Sequence, residues 1–197
     1  MLRMTAAALV LLSLISGCTA SPSSPAPSTQ SLAVTVNDGG DPARAWVAKA
    51  DAPTRPGWSD DWGPWVAAAQ ATPLSALTIL LTVQGKVSAV RVKVVARRPP
   101  VAGTQYVVVG ADPVTSERLE FDLDGSPAAR PVSSEPDTIA VTVQTQQCDC
   151  DWVIELDWPG GTRTVDNDGK PFRVSASIAT VGRCVTYPDR VEKCEDF

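Results

Sequence analysis

The sequence predicts an all-β protein: an antiparallel β-sandwich, immunoglobulin-like or jelly-roll-like, preceded by a signal peptide and a disordered tether. Three observations carry that prediction. Short runs rich in Val, Ile, Leu and Thr recur between Gly, Pro and Asp clusters, which is the rhythm of strands and turns in a sandwich. Apolar residues do not recur at helical intervals over any long stretch. The segment Cys148 to Ser175 holds the clearest alternation: Trp152, Ile154, Leu156 and Trp158 fall on one face, and Val153, Glu155 and Asp157 on the other. A half-buried strand has that pattern, and this segment is the expected centre of the domain.

The chain opens with Met1-Leu2-Arg3-Met4, an apolar run from Ala6 to Ile15, and Ser16-Gly17-Cys18. A basic start followed by about ten apolar residues makes residues 1–17 a secretory signal, short of the roughly 20 residues needed to span a bilayer. Ile15-Ser16-Gly17-Cys18 matches the lipobox of bacterial lipoproteins. By that resemblance, cleavage falls before Cys18, whose sulfur carries diacylglycerol with fatty chains such as palmitate. Residues 18–30 are the lipidated Cys18 and a tether, because Ala20 to Thr29 contains only Ser, Pro, Ala and Thr. Such a stretch cannot bury enough surface to offset chain entropy.

Residues 31–197 form the domain. Leu32 to Val36 is a first strand, closed by the turn sequence Asn37-Asp38-Gly39-Gly40, and Ala45 to Val47 is a second. Trp65 to Gln70 is the one helical candidate, a turn or two long. Leu77 to Gln84 and Val87 to Arg97 are the longest β-branched runs; only Gly85-Lys86 separates them, which predicts a hairpin. Arg98-Pro99-Pro100 ends the second run. Gln105 to Gly110, Leu119 to Asp124, Ile139 to Val143, the central strand, a short strand at Val165 and Phe172 to Ser175 complete eight or nine strands.

Composition excludes several chemistries. The 197-residue chain has 17 basic and 22 acidic residues, and the balance is 16 to 22 without Arg3; an acidic domain is not a general nucleic-acid binder. Histidine is absent, which removes the usual general base, the Ser-His-Asp and Cys-His arrangements and most zinc sites. No catalytic residue, metal or cofactor is predicted.

Candidate sites remain. Cys148, Cys150, Cys184 and Cys194 form an even set in a compartment that permits oxidation. Cys148 and Cys150 would share one face of an extended strand, which favours bridges from this doublet to Cys184 and Cys194, pinning the C-terminal tail to the central sheet. A Cys-x-Cys redox or metal site is the alternative. Asp122-Leu123-Asp124-Gly125 and Asp166-Asn167-Asp168-Gly169 look alike and suit turns with positive φ better than calcium loops. Trp58, Trp62 and Trp65, with Asp60 and Asp61 between them, could contact a ligand by stacking on sugar rings; alternatively these indoles plug one end of the sandwich. Arg91, Lys93, Arg97 and Arg98 form a basic stripe, either a solvated strand face or one turned to anionic headgroups or wall polymers.

With the lipobox and tether, the motif Cys-Asp-Cys-Asp-Trp-x-x-x-Leu-Asp-Trp followed by Asp-Gly-x-Pro-Phe resembles an uncharacterised class of actinobacterial extracytoplasmic β domains, over about residues 75 to 176. The resemblance implies location and fold and brings no catalytic residues. The expected protein is a lipoprotein anchored on the extracytoplasmic side of the cell membrane, a non-enzymatic module binding an envelope protein or glycan. The rival is a wall-glycan hydrolase pairing Asp60 or Asp61 with Glu155 or Asp157. A purely structural envelope component is the third reading.

Overall fold

The computed structural model describes residues 31–38, 43–49, 52–53, 62–109, 117–133, 136–186 and 193–196. In chain order these form β1 (Ala33–Asp38), β2 (Ala43–Ala48), α1 (Gly63–Ala68), β3 (Thr72–Pro73), β4 (Ala76–Gln84), β5 (Ala89–Arg98), β6 (Gly103–Val109) and β7 (Glu117–Asp122). There follow β8 (Arg130–Pro131), β9 (Thr138–Gln144), β10 (Asp149–Trp158), β11 (Gly161–Val165), β12 (Phe172–Ser175), β13 (Thr180–Thr186) and β14 (Lys193–Asp196). The all-β prediction holds, and the helical candidate is the six-residue α1. The lipobox and tether lie outside the described residues.

Alternation decides which faces meet. The first sheet runs β1-β4-β9-β7, and the second β11-β10-β5-β8 with β12 also on β10. From the first sheet, Ile79, Leu81, Phe121, Val141 and Val143 are buried; from the second, Val90, Val92, Trp152, Ile154, Leu156 and Phe172 join them in one core. Trp152 is fully covered and packs on Phe172 with ring centroids 4.9 Å apart. Burying an indole contributes on the order of 3 kcal/mol. Its Nε1–H has no hydrogen-bond partner among the described residues, which offsets part of that gain by about 1–3 kcal/mol. Trp158 is only partly buried and lies where a Cβ on Gly160 would meet its ring.

The hairpin expected from Leu77 to Gln84 and Val87 to Arg97 does not form. β4 lies between β1 and β9, so it has no edge left for β5, which pairs instead with β10 along its length and with β8 at Ala89 and Val90. The chain crosses between the sheets instead, through Gly85 at φ +124° and the buried Val87. Four residues span up to about 13 Å, enough for sheets about 10 Å apart. The sandwich is also not purely antiparallel, because β7 pairs with β9 in parallel.

A third sheet, β14-β13-β6-β2-β3, was not foreseen, and within it β13 and β6 are parallel. Residues 72–76 join it to the sandwich. β3 pairs with β2, Leu74 bridges Ser175 at the end of β12, and Ala76 opens β4. Between them Ser75 adopts φ +65°. Its N–H donates to the Ser175 carbonyl at 2.7 Å, and its carbonyl accepts from the Thr145 N–H at 2.9 Å. One residue thus turns the chain from the third sheet into the first while holding the second.

Candidate functional site

The site grows from the edge of β10 that faces away from β5. β11 covers that edge along Ile154–Trp158 and β12 along Asp149–Trp152; between them the chain leaves the sheet. Asn167 and Lys170 exchange two backbone hydrogen bonds, at 2.8 and 3.1 Å. Asp168 and Gly169 between them have φ +51° and +81°, the arrangement of a type I′ turn, which Asp and Gly tolerate best. The Asp166 carboxylate accepts from the Gly169 N–H at 2.9 Å and braces the turn.

This turn lines a cleft of about 890 Å³ where the three sheets converge. β1 contributes Thr35 and Asn37, β2 contributes Trp46, the start of α1 contributes Trp62, and the turn contributes Asp166 and Asp168. Its size falls within the range of ligand-binding pockets, and mixed apolar and polar walls are usual in them. The carboxylates are available as acceptors. Arg173, which also lines the cleft, is engaged by Asp149 through its Nε and one terminal nitrogen, each at 2.7 Å.

Trp62 and Trp65 are buried, against Trp46 and Tyr106 of the third sheet and not in the end of the sandwich. Trp62 and Trp65 are 8% and 5% exposed, which corrects the expectation of free stacking faces at these two positions. Trp62 stacks on Trp46 with centroids 5.3 Å apart and planes 7° apart; Trp65 meets Trp62 and Tyr106 edge-on. The Trp65 Nε1–H donates to the Pro53 carbonyl at 2.9 Å. This aromatic cluster, built from β2, α1 and β6, is separate from the sandwich core. Trp58, Asp60 and Asp61 lie outside the described residues, as does Cys18.

The cysteines pair differently from the expectation. Cys148 bonds to Cys150 and Cys184 to Cys194. The same-face argument fails because Cys148 precedes β10 and belongs to a turn, its N–H donating to Thr145 Oγ1 at 3.3 Å. Asp124 holds that turn by accepting from Thr145 Oγ1 at 2.6 Å and from the Gln146 N–H at 2.8 Å. Gly125 is not among the glycines with positive φ, so Asp122–Gly125 is a brace for this turn and not the hairpin turn it resembles. Cys184 and Cys194 sit directly opposite on β13 and β14, which pins the tail to the third sheet and not to the central one.

Three of the four residues of the basic stripe pair with carboxylates across the sheet. Arg91 pairs with Asp157, Lys93 with Glu155 at 3.8 Å, and Arg98 with Asp149 and Asp151 at 2.8 and 2.6 Å. Glu155 and Asp157, the carboxylates assigned to a hydrolase, are thereby engaged. Asp149 is the buried member of the set, with its side chain 2% exposed between Arg98 and Arg173. Burial pushes its carboxyl up, but hydrogen bonds from Arg173 and Arg98 outweigh that and hold it below the usual carboxylate value. The hydrogen bonds that Arg98 donates to Asp151 first and then to Asp149 raise its guanidinium in turn.

Comparison with protein-family models, curated proteins and solved structures finds no match. Sequence reasoning missed the cleft because its walls come from β1, β2, α1 and the Asp166 turn. The one available signal was the Asp-Asn-Asp-Gly turn.

Proposed function

We propose that this chain is a lipoprotein anchored through Cys18 on the extracytoplasmic side of the cell membrane, a non-enzymatic module that binds an envelope glycan or protein in the three-sheet cleft. The observation that carries the reading is the convergence, in one cleft of about 890 Å³, of the Trp46–Trp62 pair with Asp166, Asp168 and Asn37. Apolar indole surface beside carboxylate and amide groups suits a hydroxyl-rich ligand, which offers C–H groups and hydrogen-bond donors together. The lipobox Ile15-Ser16-Gly17-Cys18 supports the location, and the absence of histidine supports binding over hydrolysis.

Co-sedimentation of the full chain with purified peptidoglycan sacculi tests the glycan form of the proposal. Asp168→Asn and Asp166→Asn remove charge while keeping groups that tolerate the turn, since Asn accepts positive φ nearly as well as Asp. Their combination should reduce retention about tenfold, the loss of one or two charge-assisted hydrogen bonds, while Arg91→Gln on the opposite strand face should not. Retention unaffected by the cleft pair, in a chain that does bind sacculi, would place the binding surface elsewhere. No retention of the native chain would leave an envelope protein as the ligand, to be sought with the same variants.

A further inference from the structure

We propose that Cys148–Cys150 is a thiol–disulfide exchange site, with Arg97 as the positioning residue that makes its sulfurs reactive. The bridge joins residues two apart in sequence. A disulfide stabilises chiefly by restricting the unfolded chain, and the restriction grows with the loop closed. This loop is about as short as a loop can be, so the bridge ties no two elements together and restricts little. Cys184–Cys194 contrasts with it, closing a separation of ten residues and linking two strands.

The surroundings favour exchange. One terminal nitrogen of Arg97 lies 3.7 Å from Cys148 Sγ and 3.8 Å from Cys150 Sγ. Its other terminal nitrogen donates to the Gly125 carbonyl at 2.8 Å, which fixes the guanidinium over the sulfurs. Thr145 Oγ1 lies 3.3 Å from Cys148 Sγ. A cation beside a cysteine lowers its thiol pKa, and a less basic thiolate leaves faster. Both cysteines are buried, but Cys148 at 6% exposed is nearer to solvent than the fully covered Cys150, and Arg97 beside them is exposed, so the guanidinium draws an attacking thiolate toward Cys148 first.

The reactant is a dithiol. Its thiolate forms a bond to Cys148 Sγ, the Cys148–Cys150 bond breaks, and the electron pair leaves on Cys150 Sγ as a thiolate beside Arg97. The second thiol, having given its proton to water, attacks the mixed disulfide and releases the Cys148 thiolate. The dithiol departs as a disulfide, and the protein holds two reduced cysteines.

The test uses the oxidised full chain, dithiothreitol as the probe, timed alkylation, and mass spectrometry to read each cysteine pair. Cys184–Cys194 serves as the internal reference. In the folded chain, Cys148–Cys150 should be reduced without denaturant. Arg97→Gln should slow that step about tenfold, and Arg97→Lys should restore most of the rate; the reference pair should react equally in all three. A 148–150 pair that reacts only in denaturant, or at one rate in all three proteins, overturns the proposal. Should Arg97→Gln unfold, both pairs would react faster together, and Arg97→Met, which keeps the side-chain stem without the charge, then takes its place in the comparison.

Discussion

Asp149 concentrates the electrostatics of the domain in one side chain. It is the first residue of β10, opposite Arg98 on one neighbouring strand and Ser175 on the other. Its two arginines bind it from both sides. Asp149→Asn would keep the shape and leave those cations facing a neutral amide. Removing one partner of a buried ion pair costs about 3–5 kcal/mol. Arg98 and Arg173 keep 41% and 43% of their side chains exposed and can re-solvate, so urea unfolding should show a loss near the lower end, about 3 kcal/mol. Because the folded-state pKa is lowered, the stabilisation is present above the unfolded carboxylate value of about 4 and is lost as pH falls through the lower folded value. Stability measured from pH 6 downward should therefore fall more steeply for the native chain than for Asp149→Asn. Parallel curves would show that the charge contributes nothing.

At the scale of elements, the sandwich strands were legible because alternation is local. β4, β5, β9 and β10 each carry their buried face in their own residues. The third sheet was not legible, for physical reasons. β3 has two residues and one is proline. β13 reads Thr-Val-Gly-Arg-Cys-Val-Thr, with a glycine inside it, and pairs in parallel with the distant β6. Nothing local announces such a pairing. The hairpin error has the same origin, since Gly85-Lys86 serves a tight turn or a sheet crossing equally well and only the pairing of β4 on both edges, with the distant β1 and β9, decides. The element that joins the sheets offers its own test. Ser75 pays for φ +65°, and a β-branched side chain tolerates that region worst. Ser75→Val should cost about 1–3 kcal/mol, and Ser75→Gly should change stability by less than about 1 kcal/mol. Equal losses in thermal unfolding would show that the side chain, and not the backbone conformation, matters there.

For the whole molecule, the proposed function places an acidic β domain on a Ser- and Pro-rich tether behind a lipidated cysteine. Two acyl chains hold a protein at a bilayer where one holds only marginally, at about 0.8 kcal/mol per buried methylene. Cys18→Ser should therefore leave the chain unprocessed or release it from membranes on fractionation. A variant that is cleaved normally and stays with the membrane would overturn the anchor. The cleft depends on all three sheets at once, which is why no single segment of the sequence displays it. Its role as the binding surface is tested most directly by hydrogen–deuterium exchange of the full chain with and without the envelope fraction that retains it. The account predicts slowed exchange in residues 34–37 and 166–168, two segments far apart in sequence that line the same cleft. Protection confined to residues 91–97 on the outer face of β5, with these two segments unchanged, would contradict it.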